Sequence, residues 1–202
     1  MAICAGASPI SLDGRREFEI CIALLRKQSG MEIIMLKAIV VGCPGAGKST
    51  FARKLRDASN LPLYYLDMLW HKPDQTNCSR EEFDKGLKEI IKKEKWIIDG
   101  NYQRTLEIRL KECDTVFLLD VPLEVCLSGA KSRIGKKRED LPWIEKEFDK
   151  EFMQWIMDFP KKELPPIYRL LDQYRGKKDI VIFKSRREAE EYLEKMYGNS
   201  AF

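Results

Sequence analysis

The sequence has a single histidine, His71, and no C-x-x-C pair among its six cysteines. Cys4, Cys21, Cys43, Cys78, Cys113 and Cys126 are widely scattered, which argues against a zinc site or a disulfide scaffold. Unpaired thiols suit a reducing cytosol, where Cys acts as a small buried hydrophobe. One histidine leaves little for imidazole acid–base chemistry. No apolar run approaches the roughly 18 residues of a membrane-spanning helix. No internal repeat or low-complexity stretch occurs. Charge of either sign is nearly balanced, 36 Lys plus Arg against 32 Asp plus Glu. The resulting +4 is too small to mark a dedicated nucleic-acid binder. What is present is apolar material: 44% of the 202 residues are hydrophobic and 10% aromatic, enough for one good core and short of two full domains.

The first 34 residues carry no chemistry. Ala2 to Ile10 lacks a basic leader and Asp13 follows, a poor fit to a secretory signal. Phe18, Ile22 and Leu25 place a short amphipathic helix over Glu17 to Gln28. Residues 1–34 are expected to be an extension, and 35–202 the folded domain, beginning at Met35.

From Leu36 the signals alternate between strand and helix, which predicts a three-layer α/β/α fold around a five-stranded parallel sheet. Leu36 to Gly42 is a continuous apolar run, as in a strand buried on both faces. Further strands are expected at Leu61 to Leu66, Trp96 to Ile98, Thr115 to Leu119 and Asp179 to Phe183. Helices are expected over Lys48 to Ala58, from Ser79 to about Lys93, from Pro122 to about Arg133, and after Ser185. Ser79 with Glu82, and Ser185 with Glu188, have capping-box spacing. Asp140 is expected to cap a long helix carrying Ile144, Phe148, Phe152, Trp155, Ile156 and Phe159. Pro165 and Pro166 separate that helix from the next.

One constellation carries chemistry. Gly42-Cys43-Pro44-Gly45-Ala46-Gly47-Lys48-Ser49, followed by Thr50, matches G-x-x-x-x-G-K-[ST] between a buried strand and an amphipathic helix. The glycines allow successive N–H groups to turn into an anion nest, and the helix start adds its dipole. Lys48 supplies charge to the β- and γ-phosphates, and the Ser49 hydroxyl is placed to ligate Mg²⁺. The pattern predicts binding of a nucleotide such as ATP. No N-K-x-D base motif of a GTPase is present, and no apolar strand ends in the Asp-Glu of motor ATPases. The strands instead end Trp96-Ile97-Ile98-Asp99-Gly100 and Leu118-Leu119-Asp120-Val121-Pro122, which under-equips a hydrolase.

These strand ends and the loop resemble the adenylate-kinase-like nucleoside monophosphate kinases. The third strand runs into Asp99-Gly100-Asn101-Tyr102-Gln103-Arg104-Thr105, and Asp120-Val121-Pro122 precedes a helix that leads to Arg133. Leu66-Asp67-x-x-Trp70, Trp96 to Tyr102 and Ser185-Arg186-Arg187-Glu188 are similar to the related subgroup of DNA topology modulation proteins. The resemblance covers Leu36 to about Leu193. It implies a cytosolic, ATP- and Mg²⁺-dependent phosphotransferase acting on a nucleotide, nucleoside or other small acceptor. Lys48, Arg133, Arg104 and Asp99 are its implied catalytic residues, and Ser49 with Asp99 its metal side. Asp67, Trp70, Asn101, Tyr102, Arg104 and Arg109 are its acceptor side. The basic segment 131–142, with Lys131, Arg133, Lys136, Lys137 and Arg138, is expected to form a short lid, with no cysteine quartet for zinc. One departure stands out: no Arg lies between Asp67 and Ser79, where the family holds its acceptor phosphate. The rival reading is a nucleotide-dependent regulatory protein touching DNA through that basic segment.

Overall fold

A run of Ala, Ile and Val after Lys37 makes β1 (Lys37–Gly42) the central strand, with every residue beyond Lys37 buried. The structure is a computed structural model that describes residues 35–198. The expected helix over Glu17 to Gln28, and the whole 1–34 extension, lie outside the described residues. The described chain forms five strands, β1, β2 (Leu63–Tyr65), β3 (Trp96–Asp99), β4 (Thr115–Leu119) and β5 (Asp179–Phe183), ordered β2-β3-β1-β4-β5. All four pairings are parallel, as expected, with Val40 opposite Asp99 on one side and Phe117 on the other.

Eight helices among the described residues connect and flank the sheet: α1 (Lys48–Ser59), α2 (Leu66–Trp70), α3 (Arg80–Ile91), α4 (Gln103–Glu112), α5 (Leu123–Lys131), α6 (Lys150–Lys162), α7 (Leu164–Asp172) and α8 (Arg186–Tyr197). The α3 box closes in both directions: Glu82 N–H donates to Ser79 Oγ at 3.1 Å, and Ser79 N–H to the Glu82 carboxylate at 2.7 Å. At α8 only half the box forms, because Glu188 accepts from Lys184 N–H instead.

Three expectations need correction. The second strand is shorter than predicted, and Asp67 lies in the first turn of α2. Asp140 caps no helix; α6 starts ten residues later, where the Asp149 carboxylate accepts from Phe152 N–H at 2.7 Å and supplies the cap. Pro165 and Pro166 sit at the start of α7, where a missing N–H costs nothing, while Pro160 lies inside α6.

Chain direction explains where a site must lie. From β1 the chain winds outward to β2 and β3 on one side, then crosses to β4 and β5 on the other. Loops leaving the carboxyl ends of β1 and its neighbours therefore part in opposite directions and open a crevice there.

Candidate nucleotide and phosphoryl-transfer site

The segments that follow β1, β4 and β5 line this crevice. The phosphate loop leaves β1 with Gly45 and Gly47 at φ 78° and 109°. A Cβ on Gly45 would fall 2.0 Å from the Cys126 carbonyl oxygen of α5, so only glycine lets the loop pass. Ala46 N–H closes the turn onto the Cys43 carbonyl at 3.1 Å, and Lys48 Nζ donates to the same carbonyl at 3.1 Å. Cys43 and Pro44 are buried. Hydrogen bonding to Cys126 and burial push the Cys43 thiol well up, so it stays neutral. A cavity of about 370 Å³ opens against the loop, lined by Gly45, Gly47, Lys48, Ser49 and Thr50 together with Arg133, Arg138, Asp140 and Arg186. That is within the usual size range of a small-molecule site, roughly 300–1,000 Å³.

Beside the loop, Asp99 ends β3 at 5% exposure, and its Oδ1 has no hydrogen-bond partner. Burial pushes its carboxyl up to about 6; Lys48 and Ser49 pull it down, while Asp67 and Asp140 push it further up. Ser49 Oγ donates to Asp140 Oδ2 at 3.0 Å. A buried carboxylate oxygen without a partner next to a hydroxyl is a hard-oxygen donor set that suits Mg²⁺. Among the described residues no three His, Cys, Asp or Glu side chains gather to hold a metal alone.

The lid segment divides by direction. Lys131, Lys136 and Lys137 face outward. Arg133 and Arg138 turn inward onto Glu145, at 4.0 and 3.3 Å, and Arg138 also pairs with Asp140 at 3.5 Å. Burial, then the nearby Arg138, lower the Arg133 pKa. Glu139 anchors the segment to α1 and β2 through Arg56 and the Tyr65 hydroxyl, at 3.0 and 3.1 Å. Arg138 belongs to the basic segment expected as a lid, whereas Asp140 is expected only as a helix cap; no local pattern ties Asp140 to the loop, because it meets Ser49 across 91 positions.

On the acceptor side, the Tyr102 hydroxyl donates to Asp67 Oδ1 at 2.9 Å, and Trp70 packs edge-on against Phe83 and Tyr102. Burial and the adjacent Asp67 keep the Tyr102 phenol neutral. Tyr102 holds φ 36°, a left-handed conformation uncommon for its residue type. Asn101 is taken up by the phosphate loop: its Oδ1 accepts from Gly42 N–H at 2.8 Å and its Nδ2 donates to Gly42 carbonyl at 2.6 Å.

Arg109 is a correction. It is 0% exposed, its two terminal nitrogens donate to the carbonyls of Gly100, Asn101 and Tyr102, and its unpartnered Nε is buried, so it presents no free fork to clamp a phosphate. Burial pushes its pKa down to about 10, which leaves it charged at neutral pH. Arg104 is engaged at the surface by both oxygens of Asp84, at 2.8 and 2.6 Å. Asp120 accepts from the Tyr168 hydroxyl at 2.6 Å and from Lys184.

The five-stranded parallel sheet with flanking helices matches the fold of P-loop kinases. The chain is similar to shikimate kinase from Bacteroides thetaiotaomicron, with a TM-score of 0.56 and 19% identity, covering 80% of this chain and 96% of that one. It is also similar to shikimate kinase from Acinetobacter baumannii in complex with shikimate, with a TM-score of 0.54 and 16% identity, covering 82% and 95%. In sequence it is 28% identical over 89 residues to the adenylate kinases of Thermotoga neapolitana and Thermotoga maritima, a match spanning 43% of this chain and 40% of theirs. The chain thus spans about two-fifths of the length of the curated relatives it matches. No protein-family model matches it. Among the described residues no helix is long and apolar enough to cross a membrane.

Proposed function

We propose that the protein is an ATP- and Mg²⁺-dependent phosphotransferase whose acceptor is a small molecule presenting a hydroxyl group. The observation that carries this reading is the meeting of a phosphate loop with the buried, unpartnered Asp99 oxygen at one strand edge. Lys48 and the first amides of α1 hold the β- and γ-phosphates. Ser49 and Asp99 are the residues that would hold Mg²⁺, which would supply positive charge against the phosphates. Arg133 and Arg138 face the same cavity and stabilise charge on the transferring group.

The acceptor side favours a hydroxyl over a phosphate. Asp67 and the neutral Tyr102 offer an acceptor and a donor of hydrogen bonds, Arg109 is buried with its terminal nitrogens on carbonyls, and 68–78 contains no Arg. Asp67 accepts the proton as the acceptor oxygen forms its bond to the γ-phosphorus, and ADP leaves with the bridging oxygen. One of the structural neighbours binds shikimate, a small molecule. A coupled assay for ADP release, run over hydroxylated metabolites, nucleosides and nucleotides, tests the reading. Acceptor-dependent turnover with at least one hydroxylated compound is expected. Intact ATP binding with no acceptor-dependent turnover overturns it.

A further inference from the structure

Arg186, the first residue of α8, reaches the phosphate loop from the β5 end of the crevice. Its Nε donates to the Ala46 carbonyl at 3.1 Å, and its Nη2 to the carbonyls of Gly45 at 2.6 Å and Val125 at 3.3 Å. Part of the side chain faces solvent and lines the cavity described above. The peptide unit is planar and trans, so a carbonyl and the following N–H point in opposite directions. Holding the Ala46 carbonyl toward the guanidinium therefore aims Gly47 N–H away from it. That N–H matters because the preceding one, on Ala46, is already closed onto Cys43. Gly47 is the first loop residue after that turn, and it leads into the first-turn amides of α1, which have no intrahelical acceptors.

A second observation, on another element, converges on the same point. A Cβ on Gly129 of α5 would lie 2.2 Å from the Gly45 carbonyl oxygen and 2.3 Å from Arg186 Nη2. Helix α5 thus passes so close that neither the loop carbonyl nor the guanidinium leaves room for a side chain. Lys54 and Glu190, paired at 2.9 Å, tie α1 to α8 alongside.

We propose that Arg186 is a positioning residue of the phosphate site: it grips the outer carbonyls of Gly45 and Ala46 and so presents the Gly47 amide to a bound polyphosphate. The assignment deepens the phosphotransferase reading and rests on its phosphate-loop half, not on the acceptor. The fork matters as well as the charge, because two carbonyls are held from one planar group, a geometry an ammonium cannot reproduce.

Calorimetric binding of ADP and of inorganic pyrophosphate to the full chain tests this. Arg186→Lys should weaken both ligands by about the same factor, on the order of tenfold, with its thermal midpoint within a few degrees of wild type. Gly129→Ala, which disturbs the contact from the α5 side, should weaken both similarly, and the double variant should lose less than the product of the two single losses. Three results overturn the proposal: Arg186→Lys binding like wild type, loss of ADP affinity with pyrophosphate affinity intact, which would place Arg186 at the base, or fully multiplicative losses in the double variant. A wild-type chain that binds neither ligand refutes the phosphate-loop reading itself, whereas binding without acceptor turnover leaves this assignment standing.

Discussion

Two groups of residues in the crevice differ in how they are engaged. On the phosphate-loop side the backbone is held from outside: Asn101 bonds both groups of Gly42, and Arg186 bonds Gly45 and Ala46. Elsewhere in the crevice, Asp99 Oδ1 at the end of β3, and Arg133 Nε and Glu145 Oε2 at the basic segment, are buried without hydrogen bonds, although Glu145 lies in ion-pair range of Arg133 and Arg138. An unsatisfied buried group costs about 1–3 kcal/mol. On the proposed reading, the first group is organised before ligand arrives and the second is completed by it. The largest expected effect tests the organised group. Lys48→Ala should reduce turnover on the order of 10³-fold, as for loss of a group stabilising transition-state charge. Its thermal midpoint should barely move, since Lys48 Nζ bonds only a loop carbonyl. Unchanged activity refutes the site.

Asp99 tests the ligand-completed group. Its carboxyl is pushed up from 3.8 to about 6, mainly by burial. The native state thus holds this proton more tightly than the unfolded chain does. The resulting penalty is fully present above pH 6 and is relieved as pH falls toward 3.8. Two units correspond to about 3 kcal/mol. Asp99→Asn should therefore be more stable than wild type in urea at pH 7, by up to that amount, with the difference shrinking toward pH 4. The same variant should lose the Mg²⁺-dependent gain in ADP affinity. A stability difference that does not vary with pH contradicts the burial account.

Arg104 and Arg109 show what was legible in the sequence and what was not. Both follow β3, and by position alone both qualified for an acceptor phosphate. Their helix phase separates them: Arg109 shares the buried face with Thr105, Leu106 and Leu110, while Arg104 is exposed. The segment was read from its motif rather than as a helix, so this signal went unused. The phosphate loop, the strands and the Ser79–Glu82 box were legible because each is defined by neighbours a few residues away. Asp140 against Ser49 and Arg186 against the loop join residues 91 and more than 100 positions apart, and no periodicity encodes them. Arg109→Met should destabilise the fold by about 3 kcal/mol, because three loop carbonyls lose their donor. Arg104→Ala, which breaks an exposed pair, should cost less than about 1 kcal/mol. Equal losses in urea titrations would erase the distinction.

The smallest effect belongs to the lid lysines, and it decides between the two readings of the basic segment. A lid that neutralises phosphate charge needs cations turned inward, and Arg133 and Arg138 are so turned. A nucleic-acid surface needs cations turned outward, and of that kind the segment offers Lys131, Lys136 and Lys137. Neutralising Lys136 and Lys137 together should leave phosphoryl transfer within about twofold of wild type, since these exposed charges do not line the cavity and are screened by salt. If the segment instead binds DNA, each lost phosphate contact should flatten the log–log salt dependence of binding by about 0.9. Duplex binding measured across salt concentrations should show no such change. A slope that falls by nearly two, with transfer unaffected, would move the segment from the lid to a nucleic-acid surface while leaving the phosphate loop where it is.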